Sequence, residues 1–146
     1  MGIKRASCAE LEKRNPHIAD VLWHQAEEGG RRSPKAVDLA IMICMSCPLR
    51  MECLADSIAN VFDDESIYGG MGRRERQTIA GIMENDGVHA RRRDGVDPDK
   101  RRLAALEWLR AHRPIVDQVT SMRREYWRED YRKRKARARQ AEPVSA

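Results

Sequence analysis

Four cysteines constrain this chain more than any other feature. Cys44, Cys47 and Cys53 follow one another as C-x2-C-x5-C, and Cys8 stands far upstream. A C-x-x-C turn lets two sulfurs converge on one centre, and a third from the next helix plus a remote fourth ties the N-terminus to the same place. Three readings compete. Buried structural thiols do not cluster at such spacing. Permanent disulfides belong to oxidising compartments, whereas Met1 to Ala6 offers no apolar segment after Lys4-Arg5 and, with Ala6, departs from the myristoylation pattern, so a cytoplasmic address is expected. A shared metal is preferred, and four thiolates suit tetrahedral zinc and an iron–sulfur cluster alike. His24 is an alternative zinc ligand. A Cys47 thiolate gains further support if Pro48 opens a helix whose positive dipole end faces the sulfur.

The rest of the chain explains why such a staple is needed. It has 146 residues, with three Trp, three Tyr and one Phe, enough for one compact domain with a tail. The longest apolar run, Leu39 to Met45, is far too short to span a bilayer. Residues 1–90 carry 11 basic and 14 acidic side chains, and residues 91–146 carry 17 and 9, so net −3 gives way to net +8. Halves of opposite sign point to different partners.

No strand pattern or repeat occurs, so an all-α fold is expected. Ile18 to Ala26 reads as a short helix stopped by Gly29-Gly30. Ser33-Pro34 is a cap followed by proline at the first helical position, and Ala36, Val37, Ala40, Ile41 and Cys44 recur at helical spacing to about Met45. Cys47-Pro48 repeats the start signal for a helix ending near Asn60. Tyr68-Gly69-Gly70-Met71-Gly72 is a turn opening onto a helix over Arg73–Asn85. A polar linker over 87–97 then separates a domain at 1–86 from an extension at 98–146. There Asp97-Pro98 caps a helix to about His112, Arg113-Pro114 interrupts it, and Ile115, Val119, Met122 and Tyr126 form the stripe of a last helix.

These residues resemble a known family. Lys35-Ala36-Val37, then Cys44-Met-Ser-Cys47-Pro48-Leu49-Arg50-Met-Glu-Cys53-Leu54, then Ile67-Tyr68-Gly69-Gly70 and Arg73-Arg74-Glu75-Arg76 look like the WhiB-like proteins of actinobacteria and their phages, over roughly residues 8 to 80. The resemblance implies a small helical domain wrapped around a 4Fe-4S cluster sensitive to oxygen and nitric oxide, with Cys8, Cys44, Cys47 and Cys53 as its ligands and Arg50 or Arg74 offsetting its negative charge. It also implies docking on region 4 of the primary sigma factor of RNA polymerase through Trp23, Tyr68, Gly69 and Gly70. The family's turn reads G-[VI]-W-G-G, whereas this chain has Ser66 for the first glycine and Tyr68 for the tryptophan. The Cys8-to-Cys44 spacing exceeds the family's, consistent with an inserted turn around Glu27 to Arg32.

The C-terminal segment carries six cations in the eight residues from Arg132 to Arg139. On one helix, Arg124, Arg128, Arg132, Lys135 and Arg139 form a ridge able to follow a phosphate backbone, with Lys133, Arg134 and Arg137 beside it. The bland reading is a solvated face laced by Glu129–Lys133 and Asp130–Arg134 pairs. The family's Arg-Gly-Arg-Pro type hook is absent here. Trp108, Tyr126, Trp127 and Tyr131 read as packing between the two final helices, with base stacking as the alternative.

The expected whole is a cluster-bearing transcription regulator that contacts sigma factor and DNA, with no membrane partner, small-molecule substrate or enzymatic activity. Alternatives are a zinc-stapled nucleic-acid-binding protein without redox function and a thiol–disulfide reductase using Cys44-x-x-Cys47. Hydrolytic and phosphoryl-transfer chemistry find no nucleophile, base and orienting group at recognisable spacing, and the glycine turn lacks phosphate-loop spacing.

Overall fold

The structure is a computed structural model that describes residues 5–23, 34–91 and 95–141. Among them are seven helices and no strand: α1 (Ser7–Arg14), α2 (Pro16–Trp23), α3 (Pro34–Met45), α4 (Arg50–Ala59), α5 (Arg73–Asn85), α6 (Pro98–Ala111) and α7 (Arg113–Ala141). The all-α expectation holds, and α3 and α5 have the bounds their sequence signals predict. Ala26, Gly29-Gly30, Ser33, His24 and the turn at Glu27 to Arg32 lie outside the described residues. No helix among the described residues is long and apolar enough to cross a membrane.

Helix starts differ from expectation at two places. The second helix begins at Pro16, before Ile18, because Asn15 Oδ1 accepts the Ile18 N–H at 3.1 Å and Pro16 takes the first helical position. The fourth begins at Arg50, after Pro48. The Cys47 N–H donates to Cys44 O at 3.1 Å and the Arg50 N–H to Cys47 O at 3.2 Å, so two tight turns fold Cys47 back toward Cys44 before regular helical bonding starts. Helix α1 itself was not anticipated; Glu10 in its first turn and Lys13 and Arg14 in its last complement its dipole.

Two apolar clusters hold the helices together. One joins Leu54 and Ile58 of α4, Ile79 and Met83 of α5, and Leu106, Trp108 and Leu109 of α6 to Val116 of α7. The other gathers Leu22 and Trp23 of α2, Val37, Ile41 and Cys44 of α3, and Ile67. Each fully buried Leu, Ile or Met contributes about 1.5–3 kcal/mol relative to exposure. The change in charge near residue 90 is therefore not a change of core, since α6 and the start of α7 pack on α4 and α5. Arg101, buried on α6, donates to Ala59 O and so satisfies an orphan carbonyl at the end of α4.

Only the first part of α7 joins the core. Val116 and Thr120 are fully buried, whereas Met122 and Tyr126 of the expected stripe are 61% and 53% exposed. The expected aromatic packing between α6 and α7 is met by Trp108, which is buried with Val116 of α7, stacks on His112 with ring centroids 4.1 Å apart and donates to Asp86 Oδ2 at 2.8 Å; it is corrected for Tyr126 and Tyr131, which are exposed. The Trp127 side chain lies outside the described residues.

Candidate metal centre

Local structure brings the four cysteines to one place. Cys8 sits in the first turn of α1 and Cys44 in the last turn of α3. Cys47 lies in the tight turn between helices, and Cys53 is on α4. All four line a single cavity of about 90 Å³, with Trp23, Arg50, Tyr68 and Gly69 completing its wall. A water needs only about 10–15 Å³ on this scale, so the cavity has room for a group of several atoms. Among the described residues no three Cys, His, Asp or Glu side chains are placed to hold one metal ion. The four sulfurs line one void, a donor set that suits an iron–sulfur cluster and a tetrahedral zinc ion alike. No disulfide joins them.

The sulfurs are served by N–H donors. Trp23, 2% exposed, directs Nε1–H at Cys44 Sγ over 3.3 Å. The N–H of Ser7, the first residue of α1, donates to Cys47 Sγ at 3.4 Å. The start of α1 is thus beside the Cys47 sulfur, and α4 starts three residues further along the chain. Burial pushes the Cys53 thiol up to about 12, the charges of Cys44 and Cys8 add to this, and a backbone hydrogen bond from Gly69 opposes it. Burial also raises Cys44, against the Trp23 indole and the Gly70 backbone. Burial followed by the neighbouring Cys47 raises Cys8. Binding a metal group as thiolates therefore displaces protons from this site.

The glycine turn closes the cavity from one side. Tyr68 and Met71 exchange backbone hydrogen bonds at 3.0 Å each way, and φ is +58° at Gly69 and +83° at Gly70, the signature of a type I′ turn. A Cβ on Gly69 would stand 2.4 Å from Leu54 Cγ, so this position requires glycine for space as well as for backbone angle. Of the residues expected to meet a sigma factor, only Tyr68 reaches the surface; Trp23, Gly69 and Gly70 are buried. Tyr68 donates its hydroxyl to Asp64 Oδ2 at 2.9 Å and lies beside Phe62 at 5.2 Å between ring centroids. Arg76, buried beneath, donates to the carbonyls of Phe62, Asp64, Ser66 and Met71 and so moulds the whole loop.

Arg50 links this site to α7. It donates Nε–H to Gly69 O at 3.1 Å, Nη1–H to Asp117 at 2.6 Å and Nη2–H to Thr120 Oγ1 at 3.1 Å. Arg74, the other expected counter-charge, lines a groove between α5 and α7. Two ion pairs add to the tie: Glu75–Arg123 at 3.2 Å and Asp38–Arg124 at 2.6 Å. Part of the expected DNA ridge is thereby engaged inside the molecule, since Arg128 also reaches Asp38, at 3.5 Å. Lys133–Glu129 and Arg134–Asp130 form the expected helical pairs at 3.2 and 3.0 Å. Arg132, Lys135, Arg137 and Arg139 are exposed. Asn15-Pro16 and Asp38 are the local signals that sequence reasoning passed over; the Trp23–Cys44 contact has none.

Comparison with known proteins bears on the same segment. The family model described as Transcription factor WhiB matches residues 3–79, a stretch that contains all four cysteines and the glycine turn. Transcriptional regulator WhiD of Streptomyces coelicolor is 34% identical over 61 residues, covering 42% of this chain and 53% of that protein. The match thus spans about half the length of this curated relative. No solved structure matches.

Proposed function

The chain belongs to the WhiB family of transcription factors, and on that premise we propose a transcription regulator with three working parts. Cys8, Cys44, Cys47 and Cys53 hold a 4Fe-4S cluster. The turn at Tyr68-Gly69-Gly70 docks on region 4 of the primary sigma factor of RNA polymerase. The basic part of α7, through Arg128, Arg132, Lys133, Arg134, Lys135, Arg137 and Arg139, contacts promoter DNA. The observation that carries the reading is the convergence of four cysteines, one of them 36 positions upstream of the next, on one cavity roofed by the glycine turn.

When bound, such a cluster supplies one-electron redox chemistry and reactivity toward small oxidants. The chain's own residues supply the rest. The N–H groups of Trp23 and Ser7 stabilise the Cys44 and Cys47 thiolates, as hydrogen bonds to ligating sulfurs do in general, and the Arg50 guanidinium at the cavity wall offsets negative charge. Trp23 belongs to this surround and not to the docking face, which leaves half-buried Tyr68, with exposed Phe62 beside it, as the aromatic pair of the turn. Two weak contacts, to sigma factor and to DNA, reinforce each other because one chain carries both.

Anaerobic purification followed by iron, sulfide and zinc assay tests the first part. Iron and sulfide with visible absorption are expected, and a colourless chain with one zinc would favour the zinc-stapled alternative. Co-purification with sigma region 4, weakened sharply by Tyr68→Ala, tests the second. Salt-dependent retention of duplex DNA tests the third.

A further inference from the structure

We propose that the cleft between the start of α3 and the middle of α7 is a phosphate-backbone site for duplex DNA, built from Lys35, Arg128, Tyr131 and Arg132 and restrained by Asp38. The inference deepens the DNA-binding part of the proposed function and rests on it. The cleft has a volume of about 420 Å³ and is lined by these five residues. Lys35 comes from the half of the chain whose net charge is negative, and neither it nor Tyr131 belongs to the ridge read from the C-terminal segment.

Three cations face one carboxylate in this cleft, and that carboxylate is already matched. Asp38 takes its short contact from Arg124 at 2.6 Å and reaches Arg128 only at 3.5 Å. The Arg128 side chain is 56% exposed, so its guanidinium can turn to an incoming anion without leaving a buried charge unpaired. A concave surface with excess positive charge concentrates anions. The hydroxyl of Tyr131 and the planar forks of Arg128 and Arg132 are donors suited to phosphate oxygens. Arg128, Tyr131 and Arg132 stand at i, i+3 and i+4, on one face of the helix. Lys135 and Arg139 continue the basic ridge to about 16 Å beyond Arg128, a length that accommodates several phosphates of one strand and suits a polymer better than a free ion.

The role of Asp38 separates this proposal from a plain basic tail. A phosphate in the cleft competes with Asp38 for Arg128, so the carboxylate weakens DNA binding although its contact with Arg124 helps hold α7 in place. The test is fluorescence anisotropy with the full chain, purified without air, on duplexes of unrelated sequence at several salt concentrations. Lys35→Ala is expected to lower the slope of log affinity against log salt by about 0.9, with a similar loss on every duplex. Asp38→Asn is expected to tighten binding severalfold, and duplex DNA to protect Lys35 from acetylation while Lys13 stays reactive. Should Lys35→Ala leave affinity and slope unchanged while Arg137→Ala lowers both, the cleft is not the site and DNA follows the tail alone. Absence of binding by the wild-type chain would overturn the DNA reading together with the cleft. Lys35 is exposed, so its variant folds whatever Asp38→Asn does.

Discussion

Arg50 Nη1 meets Asp117 Oδ1 at 2.6 Å across 67 positions of chain, and through this contact the cysteine loop is bonded to the long basic helix. Arg50 lies three residues after Cys47 and three before Cys53, with only 3% of its side chain exposed. Its remaining donors meet Gly69 O beside the cavity and Thr120 on α7. Any movement of the cysteine loop must be shared with the glycine turn and with α7, because one planar group is bonded to both.

Arg50→Lys is therefore not conservative. An ammonium on a flexible stem cannot span a carbonyl, a carboxylate and a hydroxyl set in different directions. At least one buried acceptor loses its partner, at about 1–3 kcal/mol. Urea unfolding should show a loss in that range with an unchanged slope; a loss below about 0.5 kcal/mol would show that the three contacts are dispensable.

Gly69→Ala and Gly70→Ala should differ although the residues are adjacent and both have positive φ. Each variant bears the backbone cost of roughly 1–2 kcal/mol for a side chain in the left-handed region. Only at Gly69 does the new Cβ collide, 2.4 Å from Leu54 Cγ, whereas at Gly70 its nearest neighbour is Cys44 Cβ at 3.6 Å. Overpacking adds about 1–3 kcal/mol to the first alone. Thermal unfolding should rank Gly69→Ala below Gly70→Ala, and combining Gly69→Ala with Leu54→Ala should cost less than the sum of the two singles.

What was legible in the sequence follows from range. Helices that start on a proline, such as α3 and α6, are signalled within a few residues, and so is the turn that positive φ at Gly69 and Gly70 imposes. The start of α4 differs from the Pro48 cue because two successive three-residue turns, Cys44–Cys47 and Cys47–Arg50, take up the backbone donors there before regular helical bonding starts. Trp23 could be recognised as apolar, yet that its indole N–H reaches a sulfur 21 positions away depends on how α2 packs on α3. The same limit applies to the basic ridge. Periodicity places Arg124 and Arg128 on one face, but only the packing of α7 shows that Asp38 engages them.

The attachment of α7 to α3 should weaken in acid. The Arg124 hydrogen bond holds the Asp38 carboxyl below its usual value of 3.8, with Arg128 adding to it. A carboxylate with a depressed folded-state pKa contributes stability that is fully present above the unfolded value and is lost as pH falls through the folded one. The contribution is therefore intact at neutral pH, starts to fall near pH 4 and is gone only below the depressed folded value. Hydrogen exchange of α7 amides around Arg124 should accelerate over that window in the wild-type chain, and the step should be absent in Asp38→Asn. An identical acid response in both would assign the loosening to other carboxylates.

Trp23→Phe isolates the hydrogen bond to Cys44 from the packing around it. The shorter aromatic ring retains much of the apolar contact and removes the Nε1–H that reaches Sγ over 3.3 Å. Partners of metal ligands typically change affinity 10–100-fold when removed. The variant, loaded and purified without air, should lose iron and sulfide at least tenfold faster than wild type on dilution into chelator, read by the decay of visible absorption. The smaller ring also leaves a void, at about 1–3 kcal/mol of fold stability, so unfolding must be measured beside release. Trp23→Leu, which likewise lacks the donor but packs differently, should match Trp23→Phe in release if the hydrogen bond governs. If instead release follows the stability ranking of the two variants, packing controls retention and the indole donor is incidental.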